Sequence, residues 1–183
     1  NNSMFYPSAS VAFLPTSMDA DFKSENLSYL KLRAGYGTSA GFPTGYPTVN
    51  TVGQATNQNG GAAGGIITNA VSNFQANPDL KPELLGEFEL GFDATVWKGR
   101  VGINASYFER TSKDLIVFKP LPISTGYTST QDNIGKIEGK GIEVDLDLDM
   151  FEILPLNVDG LTWNARVNFT KSENIVAEQA DDQ

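Results

Sequence analysis

Long segments of this chain alternate apolar and polar residues with a period of two. The alternation is clearest from Phe88 to Val96 and again from Ile142 to Met150. Successive side chains of a strand point to opposite faces of its sheet, so each segment is predicted to be a β-strand with one apolar and one polar wall. What the apolar wall meets, a protein core or lipid, therefore determines the class of this protein.

Six such strands are predicted, and the connections between them differ in length. They lie near residues 6–14, 29–37, 84–97, 100–112, 138–151 and 161–171. The connections after the second and fourth strands, near residues 38–83 and 115–136, are long and are predicted to be irregular, whereas those after the third and fifth are short. Because consecutive antiparallel strands alternate in direction, both long connections are expected at one end of the sheet, and such long loops are generally functional or disordered.

Two architectures fit the alternation. In a soluble β-sandwich the apolar wall packs on a second sheet, whereas in an outer-membrane β-barrel it meets lipid and the polar wall lines the lumen. The third and fifth strands keep the pattern for about nine residues, the length of a tilted membrane strand. Aromatic residues also gather near strand ends, with Trp163 at the short-turn end and Tyr36, Tyr107 and Phe169 toward the other. We therefore expect an all-β fold, an antiparallel transmembrane segment of a larger barrel.

The composition excludes several functional classes. With neither cysteine nor histidine among its 183 residues, the chain lacks disulfides, the usual zinc ligands, thiol nucleophiles and Ser-His-Asp triads. A formal net charge of -9 disfavours binding to nucleic acid. No pair of carboxylates is brought together as in a glycosidase, so we expect no catalytic residue, no metal site, no cofactor and no enzymatic activity. Neither end of the sequence reads as a natural terminus, and we expect an internal part of a longer protein.

Further motifs occur in a fixed order along most of the chain, outside the Gly-rich run at residues 60–65. They are Leu30–Gly37 (LKLRAGYG), Asn77–Glu83 (NPDLKPE), Glu89–Asp93 (ELGFD), Tyr107–Ile116 (YFERTSKDLI), Asn133–Glu143 (NIGKIEGKGIE) and Trp163–Thr170 (WNARVNFT). In content and in order they resemble the late barrel of SusC/RagA-type TonB-dependent transporters of Bacteroidetes outer membranes.

The resemblance implies a barrel of about 22 strands with a plugged lumen, of which this chain supplies about six. Such outer-membrane transporters import oligosaccharides or peptides with energy from TonB, usually with a SusD-like surface lipoprotein as a lid. The expected partners are therefore that lipoprotein, the TonB system, a glycan or peptide substrate and outer-membrane lipid. The family's plug, its TonB-contacting segment and its C-terminal aromatic strand are not within this chain, so energy coupling rests on the resemblance alone.

Aromatic residues in the long connections are the predicted substrate-binding residues. Phe42, Tyr46, Phe74 and Tyr127 lie among glycine, proline and polar residues, where no strand pattern requires an apolar ring. They are predicted to stack on sugar or peptide groups. The alternative is that they anchor the loops to the barrel rim or to a partner protein.

Four carboxylates, Glu143, Asp145, Asp147 and Asp149, form a ladder along the polar wall of the fifth strand. A cation or substrate track is one interpretation. A solvated lumen wall, or contacts to plug residues and to cations of neighbouring strands such as Arg166, is favoured, because a polar interior is normal for a large barrel. A single straight strand also does not converge ligands on one hard cation.

Two other functions stay open at the level of sequence. A passive porin or an adhesin barrel shares the same strand pattern, and so does a soluble β-sandwich binding module. A plug and a TonB-contacting segment in the parent protein distinguish active import from the first alternative. Folding in water without detergent distinguishes the second, because exposed strand edges and a lipid-facing wall cause aggregation.

Overall fold

The computed structural model describes residues 5–18, 20–45, 47–57, 66–154 and 160–178. They divide into two compact units. The sheet unit comprises the described residues up to Ser39, with Leu85–Ser112 and Ile137–Ala177; the loop unit comprises those within Ala40–Leu84 and Lys113–Lys136, with Glu178.

Strands dominate both units, and eleven are present in the described residues. They are β1 (Ser8–Phe13), β2 (Leu27–Gly41), β3 (Val52–Asn57), β4 (Ile66–Val71), β5 (Phe74–Gln75), β6 (Glu83–Val96), β7 (Val101–Lys113), β8 (Ile116–Pro120), β9 (Ser129–Asn133), β10 (Lys136–Asp149) and β11 (Asn164–Glu178). Helical turns are short: α1 (Pro15–Met18), α2 (Met150–Ile153) and the 3-10 turns Ala20–Phe22 and Ile123–Thr125.

Six strands form one antiparallel sheet in the order β1-β2-β6-β7-β10-β11. Neighbours in the sheet are thus neighbours in the chain once the strands of the loop unit are set aside, as in an up-and-down barrel wall. The register of β1 on β2 places Val11 opposite Ala34 and Phe13 opposite Leu32, so the apolar positions of both strands share one face. The predicted fold class, an antiparallel barrel segment of about six strands that does not close by itself, is confirmed.

The strands differ in extent from the sequence-based bounds. β2 continues to Gly41 and β11 to Glu178, although both pass through polar residues there. The long connections predicted to be irregular contain β3, β4 and β5 in the first and β8 and β9 in the second. These strands are two to six residues long, too short for their alternation to be distinguished from that of a loop. They pair with one another in separate small sheets, β3-β4 and β5-β9-β8.

The hairpin between β6 and β7 has an unusual turn. Trp97 and Lys98 both have positive φ, at 54° and 59°, and Gly99 follows at 87°. Positive φ is rare for a bulky side chain, and here the turn is held from outside, since the N–H groups of Trp97 and Lys98 donate to the carbonyls of Asn26 (2.9 Å) and Glu25 (2.8 Å). Trp97 thus belongs to the turn and not to the strand. This explains why this large apolar residue occupies an odd-numbered position, whereas the apolar positions from Phe88 to Val96 are even-numbered.

The apolar wall of the sheet unit is uncovered. Its larger side chains are partly or largely exposed, among them Phe92 (37%), Leu90 (44%) and Val11 (65%), and Ala94 is its one buried apolar side chain in the described chain. A soluble sandwich places this wall against a second sheet. A contiguous exposed apolar face that runs across several strands is instead typical of a surface that meets another apolar phase.

Candidate functional site

Charged side chains cross-link the polar wall over β2, β6 and β7. Arg33 lies at the centre, with its guanidinium 3.4 Å from the Glu89 carboxylate and donating to Asn104 Oδ1 at 3.2 Å. Asn104 in turn donates to Asp93 Oδ1 at 2.5 Å, and the Lys31 ammonium lies 3.6 Å from the same carboxylate. These residues come from alternate positions of three strands, so the sheet brings together groups that are far apart in sequence.

The carboxylate ladder of β10 contacts its neighbours. Arg166 Nε donates to Asp147 Oδ1 at 2.5 Å, Asn168 donates to Asp145, and Asp149 accepts from the backbone N–H of Glu152 at 3.2 Å, which caps α2. The predicted contact between the ladder and Arg166 is therefore confirmed. In the described part of the chain, no group of three or more acidic side chains is arranged to hold a metal ion.

A glycine lies under an aromatic ring on the same wall. If Gly141 carried a Cβ atom, that atom would lie 2.5 Å from Phe108 Cζ and 2.9 Å from the backbone oxygen of Lys171. The Phe108 ring therefore occupies space that only the absence of a side chain at position 141 leaves open. The Arg110 guanidinium lies 5.9 Å from the centre of the Phe108 ring and donates to Glu87 Oε2 at 2.7 Å. The ring is thus held between a backbone and a paired cation.

Arg33 and Arg166 differ in how much they contribute to stability. Replacing Arg33 with methionine is expected to lower the free energy of unfolding by about 1–2 kcal/mol, because Asn104 and Glu89 lose a partner in a half-buried network. Arg166→Met is the matched control and leaves the unfolding midpoint unchanged, since its side chain is 68% exposed. Chemical unfolding of the full-length parent in detergent measures both. Equal midpoints for the two variants contradict the expectation.

Aromatic side chains of the loop unit gather on its three-stranded sheet. The Phe74 ring of β5 meets the Phe118 ring of β8 edge to face, with 6.2 Å between the centroids and 76° between the planes. Tyr127 lies just before β9, and its hydroxyl accepts from Asn50 Nδ2 at 3.3 Å. Asn50 also accepts from the Ala76 N–H at 2.7 Å, so one amide joins two loop segments.

Asparagine side chains also hold the sequence 77–83 in place. Asn133 Oδ1 accepts from the Lys81 N–H at 2.7 Å, and its Nδ2 donates to the carbonyls of Lys81 and Asp114, both at 2.8 Å. Asn77 Nδ2 donates to the Gln131 carbonyl at 2.9 Å. Amide side chains carry both donors and acceptors, so they replace the backbone partners that a loop lacks.

The predicted binding aromatics are only partly brought together. Phe74 lies in β5 and Tyr127 just before β9, and the two segments are joined where Thr128 donates its N–H to the Asn73 carbonyl at 2.7 Å. Phe42 follows β2, is 63% exposed and has no ring contact or hydrogen bond with them in the described part of the loop unit. Tyr46 lies outside the described residues.

Sequence reasoning missed Phe118 and Asn50. Phe118 is on β8, whose five residues end in Pro120 and read as part of a loop. The one available signal was a short Ile-Val-Phe run between polar residues. Asn50 carries no local signal, because its role depends on partners 26 and 77 residues away in the chain.

The family of this chain follows from comparison with known sequences. A family model described as "TonB dependent receptor-like, beta-barrel" matches residues 1–182. The chain belongs to this family. The resemblance to SusC/RagA-type transporters is thereby confirmed, as is the bacterial outer membrane as the location.

The apolar wall is the lipid-facing wall of a TonB-dependent receptor barrel and the polar wall faces the lumen. The alternative of a soluble β-sandwich is therefore wrong. The family is one of receptors and transporters.

Curated relatives carry the same family name. The chain is 32% identical over 92 residues to TonB-dependent receptor P39 of Formosa agariphila and 29% identical over 97 residues to TonB-dependent receptor P3 of that organism. These matches cover 50% and 52% of this chain but 8% and 9% of those proteins. The chain therefore spans less than a tenth of the length of these relatives.

Solved structures share the fold. The RagAB peptide importer in its closed-closed state matches 97% of this chain and 18% of its own, with a TM-score of 0.80 and 22% identity. The FrpB iron transporter of Neisseria meningitidis (F3-3 variant) matches 97% of this chain and 20% of its own, with a TM-score of 0.54 and 18% identity. At these identities the likeness concerns the fold. In the described residues, no helix is long and apolar enough to cross a membrane.

Proposed function

We propose that this chain is part of an active importer that takes up an oligosaccharide or a peptide across the outer membrane. The observation that carries the proposal is the family match over residues 1–182. In this proposal the two long connections are extracellular loops, a SusD-like surface lipoprotein covers them, and TonB acts through a plug elsewhere in the parent protein.

The importer function has a direct test. Cells that express the parent protein are given a labelled maltodextrin or a labelled peptide mixture, with and without TonB and with and without a protonophore. Uptake that requires both TonB and the proton gradient is the expected result. Uptake that survives the loss of both is the signature of a passive porin and overturns the proposal. Deleting the gene for the surface lipoprotein tests the lid, with reduced uptake at low substrate concentration expected.

We further propose that Phe42, Tyr46, Phe74 and Tyr127 contact the substrate. Three facts support this for Phe74 and Tyr127: both rings are only half-buried, Phe74 lies in the three-stranded sheet and Tyr127 directly before one of its strands, and a ring contact or a hydrogen bond holds each in place. Named transport cargoes differ among the solved structures of this fold, which include a peptide importer and an iron transporter. Since structures that share these strands carry different named cargoes, we place the choice of cargo in the loop residues of this chain.

Removing a loop aromatic is expected to weaken uptake. Stacking on a planar or pyranose face contributes about 1–3 kcal/mol per ring, so Phe74→Ala and Tyr127→Ala are expected to raise the apparent KM for uptake about tenfold. Phe22→Ala is the matched control, since Phe22 is an exposed aromatic in the short connection between β1 and β2. Equal uptake by all three variants shows that the rings do not bind substrate.

Tyr127→Phe separates stacking from loop anchoring. This variant keeps the ring and removes the hydroxyl that accepts from Asn50. Normal uptake by Tyr127→Phe, together with reduced uptake by Tyr127→Ala, indicates that the ring contacts the substrate. Equal losses in both variants assign the effect to the bond with Asn50.

A further inference from the structure

Strand β8 is an edge of the three-stranded sheet in the loop unit, because β9 lies on one side of it and no described strand lies on the other. β8 pairs with β9 antiparallel. On either side of this ladder, Ile134 N–H donates to the Leu115 carbonyl (2.9 Å) and Leu121 N–H donates to the Thr128 carbonyl (3.0 Å). Since bonded and non-bonded positions alternate in an antiparallel pair, the odd-numbered residues of β8 bond to β9 and the even-numbered residues face outward.

Two of the three outward positions already lack a free donor. Ile116 N–H donates to Glu83 Oε1 at 2.8 Å, and Pro120 has no N–H. Phe118 lies between them, and neither its N–H nor its carbonyl has a partner in the described part of the loop unit. Its residue surface is 70% exposed. Phe118 is thus the one outward position of β8 that presents both a donor and an acceptor.

The surroundings of Phe118 are ordered and carry a positive charge. Its ring is held against Phe74, which fixes the backbone at this point of the edge. Lys119, the next residue, is exposed and has no ion pair in the described residues, although the chain as a whole carries a net charge of -9. A cation left unpaired beside an open strand edge is complementary to an acidic ligand.

We propose that the β8 edge at Phe118 binds an extended peptide with an acidic side chain, by main-chain pairing. This inference rests on the proposed function and names its substrate class. One residue of an extended peptide offers an N–H and a carbonyl in the spacing that Phe118 presents, so two backbone hydrogen bonds form. The acidic side chain of a neighbouring peptide residue reaches Lys119. An oligosaccharide lacks paired amide groups at this spacing and does not form the same ladder.

The test uses the full-length parent protein in detergent and a short fluorescein-labelled peptide of alternating Val and Glu as the probe. Phe118→Pro is expected to weaken binding of this peptide about tenfold, because it removes the donor without touching the bonds to β9. Proline already occupies the equivalent outward position 120 of the same strand. Phe118→Leu is the matched control, which keeps the N–H and binds within about threefold of the native protein. Lys119→Gln is expected to weaken binding and to reduce its dependence on salt.

A second measurement leaves the protein unchanged. A version of the peptide with alternate backbone nitrogens methylated is expected to bind the native protein about tenfold more weakly than the unmodified peptide. Equal binding of the two peptides, or native affinity in Phe118→Pro, overturns the inference. TonB-dependent uptake of maltodextrin without binding of any peptide also overturns it but leaves the importer function standing. The absence of TonB-dependent uptake of either substrate overturns the importer function itself.

Discussion

Replacing Gly141 with alanine is expected to lower the free energy of unfolding by about 3 kcal/mol, the upper end of the cost of overpacking a close-packed site. The added Cβ meets Phe108 Cζ at 2.5 Å and the Lys171 carbonyl oxygen at 2.9 Å. The ring has little freedom to move aside because Arg110, paired with Glu87, lies against it. The backbone oxygen of Lys171 belongs to β11 and moves only if the strand moves.

Gly102→Ala is the matched control for this prediction. Gly102 also lies in a strand of the sheet, but a Cβ there is 3.4 Å from Asp147 Cβ, an ordinary contact. Its replacement is expected to change the stability by no more than about 0.5 kcal/mol. Guanidinium unfolding of the full-length parent in detergent, followed by tryptophan fluorescence, gives both values. Adding Phe108→Ala to Gly141→Ala is expected to recover part of the loss, since it removes the closest contact and leaves that with Lys171. Equal midpoints for the two single variants contradict the packing argument.

Replacing Asn133 with alanine is expected to disorder the sequence 77–83 and to reduce substrate uptake at least tenfold. The variant leaves three backbone groups without partners, the N–H and carbonyl of Lys81 and the carbonyl of Asp114. The bond to the Asp114 carbonyl is half-buried and its loss costs about 1–3 kcal/mol, whereas water can replace the lost partner at the two exposed Lys81 groups. In the described residues of the loop unit only Leu80 and Pro82 have buried apolar side chains, so packing offsets little of this loss.

Hydrogen exchange of the parent protein and uptake in cells measure the two effects of Asn133→Ala. Faster exchange at Lys81 and at residues 116–120 is expected, with exchange in β7 and β10 unchanged. Asn69→Ala is the control, because Asn69 is an exposed asparagine of β4 with no side-chain hydrogen bond in the described part of the chain. Asn133→Asp is expected to be intermediate, since it keeps the acceptor for the Lys81 N–H and loses both donors. Normal exchange and uptake in Asn133→Ala show that the loop is held by other means.

The strand pairings and the side-chain contacts of the loop unit could not be predicted from the sequence. The pairing of β5 with β9 joins residues 74–75 to 129–130 in parallel, and no local pattern encodes a pair so distant. The predicted binding aromatics lie where no strand pattern requires a ring, a criterion that includes Phe74 and excludes its ring partner Phe118. Asn50, Asn77 and Asn133 have the composition of any polar loop, and their roles depend on which backbone groups the fold leaves without partners.

The sequence by itself determined the two walls of the long strands and the family. In an extended strand the period of two determines which face each side chain occupies. The sequence alone therefore predicts that the carboxylate ladder of β10 and its partner Arg166 lie on the same polar wall. Only the tertiary structure decided that nothing in the described chain covers the apolar wall. It also decided that the Phe108 ring occupies the space beside Gly141 and that the β8 edge is unpaired at Phe118. Both features depend on distances between segments that are remote in sequence, and a local alternation does not specify such distances.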